Sequence, residues 1–84
     1  MTRNTILNIL NDLYYEATDQ IIKIDEDMSV RGGYYTTNSS SLELLIWFIA
    51  IEDYFKIEIS EDIIYIRDIV DRIMKYMENK DGEF

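Results

Sequence analysis

The sequence has no cysteine, no histidine and no proline, and only three glycines. Without cysteine there is no disulfide framework and no thiolate nucleophile. Without cysteine and histidine the usual zinc sites and the histidine-based catalytic triads are excluded. Basic residues are scarce as well: 8 Lys and Arg stand against 17 Asp and Glu, for a net charge of −9. That balance argues against nucleic acid and anionic membranes as partners, because both require basic patches. The longest apolar run, from Leu44 to Ile51, is far too short to span a bilayer. Met1 to Leu13 mixes Arg, Asn and Asp with apolar residues, so no signal peptide is expected and the expected setting is cytoplasmic.

Acidic residues are abundant but poorly arranged for catalysis. Glu52-Asp53 and Glu61-Asp62 are adjacent pairs, and neighbours on a helix do not face each other. A solvated acidic face is the better reading. Gly32-Gly33 alone is not a phosphate-cradling loop. Asp25-Glu26-Asp27 lacks the later glycine and glutamate of a calcium loop. The chain is therefore not expected to be an enzyme.

What is present suits a small helical domain. With 84 residues, 48% of them apolar, the chain is expected to form one domain over 1–84 with one modest core. Ile6, Ile9, Leu10, Leu13, Tyr14 and Ala17 follow the i, i+3, i+4, i+7 pattern and predict a helix over residues 2–17, capped by Thr2 or Asn4. Asn8, Asn11 and Asp12 fall on its other side, and the hydroxyls of Tyr14 and Tyr15 are expected to reach water. Residues 18–39 form a long connection with apolar anchors at Ile21, Ile22, Ile24, Met28 and Val30. Tyr34 and Tyr35 read either as tucked into the bundle edge or as a rim beside the next helix. Residues 56–60 break that helix with alternating Ile57 and Ile59. Ser60 is placed to cap a short helix over 61–65. Ile66, Ile69, Val70, Ile73 and Met77 make the stripe of a last helix over 67–78, beyond which the chain is expected to fray.

The most informative stretch runs from Asn38 to Ser60. Asn38, Ser39, Ser40 and Ser41 are all capping residue types, and Glu43 lies three places after Ser40 at the spacing of a capping box. Ser40 is thus the expected N-cap and Ser41 the first helical residue, its hydroxyl in solvent near the positive helix end. At about 100° per residue, Leu44, Trp47, Phe48, Ile51 and Phe55 share the core side. Leu42, Ile46 and Ile49 lie on the outer side below Ser41. They mark either a partner surface or a face covered by another helix. The plain alternative for Ser41 is that it belongs only to a serine-rich helix start.

Ser41-Leu42 followed by an apolar helix, then Glu52-Asp53-Tyr54-Phe55 and Ile57-Glu58-Ile59-Ser60, resembles the acyl carrier protein family. There an Asp-Ser-Leu triplet opens the second helix, an acidic pair and a phenylalanine end it, and a Glu-Ile-Pro segment follows. The resemblance is best from Ser40 to about Met77. It implies an all-α four-helix bundle of acyl-carrier type, with a short third helix and a long first loop. It implies a 4′-phosphopantetheine arm attached to Ser41, carrying an acyl or aminoacyl group as a thioester. The implied partners are a phosphopantetheinyl transferase and the enzymes that load and process the cargo. Leu42, Ile46 and Ile49 would give apolar contact, with Glu43, Asp53 and Glu61 steering basic partners. A monomer is expected, serving a specialised pathway such as polyketide synthesis. Ser40 stands where the family has Asp, and the approach from Arg31 to Ser40 is a few residues longer. Both departures favour an alternative, an unmodified carrier-like module for protein–protein interaction.

Overall fold

The computed structural model describes residues 1–31, 35–37, 39–60 and 62–82, those from 79 on by backbone alone. The all-α class expected from the sequence is what the described residues form: three helices, α1 (Arg3–Thr18), α2 (Ser41–Phe55) and α3 (Ile66–Gly82). No helix among the described residues is long and apolar enough to cross a membrane.

Helix α1 begins at Thr2, whose side-chain oxygen accepts from the Thr5 N–H at 3.1 Å. It buries Ile6, Leu10 and Tyr14, spaced i, i+4, i+8 along one face. It ends at Asp19, a residue tolerated in the left-handed region (φ 62°), whose N–H donates to the Tyr15 carbonyl at 2.8 Å. Helix α2 contributes Trp47, Ile51 and Phe55 to the core, with Leu44 and Phe48 partly buried beside them. Tyr14 meets Trp47 edge to face, ring centroids 5.1 Å apart, and the Trp47 indole N–H donates to the Leu10 carbonyl at 3.1 Å. Helix α3 closes the core with Ile66, Ile69, Val70 and Ile73, all fully buried. Its backbone stays helical as far as Gly82, past the fraying expected from residue 79, because no proline or glycine interrupts it sooner.

The long connection is anchored much as expected. Ile24, Met28 and Val30 are buried and Ile22 partly so. Ile21 is the exception, 87% exposed. Asn11 has a role that the helical pattern does not reveal: its Oδ1 accepts from the Ile24 N–H at 2.8 Å, while its Nδ2 donates back to the Leu7 carbonyl.

The expected short helix over 61–65 is not formed by the part of it that is described. Asp62 lies in a turn, and Tyr65 pairs with Ser29 in an isolated antiparallel bridge. The physical reason is competition for backbone groups. The Ile64 carbonyl accepts from the Val30 N–H at 2.8 Å, and the Ile66 N–H donates to the Met28 carbonyl at 2.9 Å. Those bonds extend the segment and commit groups that a helical turn would use. The Ser60 hydroxyl donates to the Asp62 carboxylate instead of capping a helix, and this holds the Asp62 pKa below the ordinary aspartate value. Ser29 also pairs with Thr36 on its other side, so Met28 to Val30 forms a small three-way ladder. Arg3 ties the same region to the helices, through Nε to the Glu26 carboxylate at 3.0 Å and through Nη1 to Asp71 at 2.8 Å. The Glu26 hydrogen bond, with Asp71 behind it, pushes the Arg3 pKa up and keeps the guanidinium charged.

Candidate functional site

The start of α2 is built by the local chemistry of four residues. The Ser40 hydroxyl oxygen accepts from the Glu43 N–H at 3.2 Å, and the Glu43 carboxylate accepts from the Ser40 N–H at 2.9 Å. This reciprocal pair is a complete capping box. Ser41 follows as the first helical residue, and its side chain is exposed. The N–H groups of Ser41 and Leu42 belong to the first turn and have no intrahelical partner by construction. Among the described residues, none hydrogen-bonds the Ser41 hydroxyl, and the nearby Glu43 carboxylate is engaged by Ser40. That hydroxyl has no base hydrogen-bonded to it, among the described residues, to activate it as a nucleophile. It is a group that another enzyme can reach and esterify.

Beside Ser41 a groove of about 500 Å³ opens along α2. One wall is Ser41, Leu44, Leu45, Phe48 and Ile49; the other is Val30, Arg31, Ile59 and Ser60, with Glu52 at the end. The Glu52 carboxylate accepts from the Ile59 N–H at 2.9 Å and so holds the far wall in place. The Arg31 guanidinium is fixed by donating from Nε to the Ile63 carbonyl at 2.7 Å, which sets a cation on the groove rim.

Leu42, Ile46 and Ile49 are exposed, at 64%, 43% and 55%. No described helix covers them. Leu45, 55% exposed, joins them. Leu45 stands four residues after Ser41 and four before Ile49, a spacing that puts all three in one row and is visible in the sequence. Asp53 is exposed and pairs only loosely with Lys56, at 3.5 Å. Glu43 is half-buried and tied into the cap, so it sits at the site but with its carboxylate engaged. Glu61 lies outside the described residues, as do Asn38 and Tyr34. Tyr35 is exposed, and its hydroxyl donates to the Asp25 carboxylate, which pushes its pKa up. Tyr35 belongs to the Asp25 turn and does not line the groove beside Ser41.

Tyr14 departs most from expectation. Its hydroxyl does not reach water; the residue is 1% exposed. The hydroxyl contacts the Ser39 hydroxyl and lies 3.3 Å from the Thr37 carbonyl, just ahead of the cap. Among the described residues no group of acidic side chains is arranged to hold a metal ion. No protein family, curated protein or solved structure matches this chain.

Proposed function

We propose that the chain is an acyl or aminoacyl carrier protein, with 4′-phosphopantetheine attached through a phosphodiester to the Ser41 hydroxyl. The observation that carries this reading is the exposed Ser41 at the first position of a boxed helix, at the mouth of an apolar groove. The residues present fit the group. The first-turn N–H groups and the helix dipole favour an anion at Ser41 by roughly 0.3–1 kcal/mol. Arg31 adds a cation on the rim, and Leu45, Phe48, Ile49 and Ile59 give the arm an apolar wall. When bound, the arm supplies a thiol that holds the cargo as a thioester. The chain's own work is presentation and docking. Leu42 and Ile46 offer apolar contact to a partner, while the exposed Asp53 and the charge of Glu61 draw in basic partners such as a phosphopantetheinyl transferase and the loading enzymes. In this reading the four-helix carrier bundle is reduced to three helices, with the turn after Ser60 in place of the short third helix. The pathway is a specialised one, of the polyketide kind.

A second reading is favoured by a specific observation. Leu42, Leu45, Ile46 and Ile49 expose a continuous apolar row, and residues 62–65 are turned and extended where the carrier family has a helix. Both suit a helical interaction module with no prosthetic group. Intact mass after coexpression with a broad-specificity phosphopantetheinyl transferase separates the two. The carrier reading expects a gain of one phosphopantetheine, lost in Ser41→Ala. An unmodified chain with several transferases supports the interaction module.

A further inference from the structure

The segment that leads into the cap is held from beneath by a buried tyrosine. Tyr14 is 1% exposed and Thr37 3% exposed, so both are sealed from water. The Tyr14 hydroxyl contacts the Ser39 hydroxyl, which donates to the Thr37 hydroxyl at 3.1 Å. Thr37 is fixed in turn by its N–H, which donates to the Ser29 carbonyl at 3.1 Å. The ring that carries this hydroxyl packs edge to face on Trp47, about 1.7 turns into α2 from Ser41. A single residue of α1 therefore touches both the approach to Ser41 and the helix that follows it.

We infer that Tyr14 is a positioning residue for Ser41, its hydroxyl fixing Thr37 and Ser39 so that the cap at Ser40 closes and the Ser41 hydroxyl is presented. The inference deepens the carrier reading, on which its consequence for modification rests. The chemistry is that of a buried relay. The Tyr14 hydroxyl bonds both the Thr37 carbonyl and the Ser39 hydroxyl, the Ser39 hydroxyl bonds that of Thr37, and these groups are satisfied only while the segment stays seated. Tyr14→Phe keeps the ring and its contact with Trp47 but removes the donor. The segment then samples unseated conformations in which the Ser40 cap is open.

The test uses the whole chain and two readouts. In Tyr14→Phe, amide hydrogen exchange at Glu43 and Leu44 is expected to rise about tenfold, the order of one hydrogen bond's contribution to an opening equilibrium. Exchange at Ile69 to Ile73 in α3 reports global opening and is expected to change less than Glu43 and Leu44. Ser39→Ala is expected to give a local increase at the same amides, and the double variant less than the two single effects combined, because both substitutions lose the shared Tyr14–Ser39 bond. The second readout is modification by a transferase: kcat/KM falls in Tyr14→Phe while the final extent at Ser41 stays complete. Exchange that rises equally in α2 and α3 means a merely structural tyrosine and overturns the inference, as does no local rise at all. Additive effects of the two substitutions overturn it as well. A wild-type chain that no transferase modifies overturns the carrier reading. The exchange pattern, which needs no modification, distinguishes that result from failure of the positioning role.

Discussion

At the scale of single residues, the fate of Ser41 is set by Ser40. The hydroxyl of Ser40 takes the Glu43 N–H, and only because it does so is Ser41 the first residue of a well-formed turn. Ser40→Ala is expected to lower stability by about 1 kcal/mol, read from urea unfolding, with an unchanged m-value. An aspartate at this place, Ser40→Asp, is expected to keep the cap and add a charge favoured by the helix dipole, raising the same midpoint. The capping box was legible in the sequence because it depends on two residues three apart. The Tyr14 hydroxyl was not. Its partners, Thr37 and Ser39, are more than twenty residues away, and the pattern that placed Tyr14 in the core says nothing of where its polar tip ends. Asn11 shows the same limit: its place beside the helical stripe does not disclose that its side chain takes a distant N–H, that of Ile24.

At the scale of elements, periodicity predicted all three helices, with ends within a residue or two of those observed except at the C-terminus of α3. Each carries an apolar stripe long enough to outweigh local alternatives. The segment after Ser60 had the chemistry of a helix start, with Ser60 followed by two acidic residues, but only a few residues in which to realise it. A short helix gains little by itself, so the tertiary bonds from Met28 and Val30 decide its conformation. The exposed row on α2 was legible by angle, while the groove beside it was not, because its far wall comes from Val30, Arg31, Ile59 and Ser60. Asn11 links α1 to the long connection in a way that can be isolated. Asn11→Ala leaves the half-buried Ile24 N–H without its acceptor and is expected to cost about 1–2 kcal/mol in chemical denaturation. Loss of protection at the Ile24 amide, with α3 amides changed less, would place the defect at that junction.

For the whole molecule, charge dominates. Seventeen acidic residues against 8 basic ones leave −9 to be contained within one small fold. The main compensation described is the Arg3 junction with Glu26 and Asp71, and these groups are partly exposed. Ion pairs of that kind contribute at most about 1 kcal/mol, less than the self-repulsion of a strongly acidic chain can remove. Added salt screens both, so the net effect is stabilising: the melting temperature is expected to rise between about 20 and 500 mM sodium chloride. A midpoint that falls over that range would mean that attraction around Arg3 outweighs repulsion elsewhere.

The ladder at Met28 to Val30 has a consequence for the continuity of the backbone. It sews the first third of the chain to the residues just before α3, while Trp47 and Tyr14 lock α1 against α2. A cut in the chain between Arg31 and Tyr35 would thus sever a covalent path without separating its two sides. The shorter piece, α1 with its trailing segment, would still be clasped at two independent places. The molecule can be treated as a pair of complementary fragments, clasped by the ladder at Ser29 and by the contact of Tyr14 with Trp47.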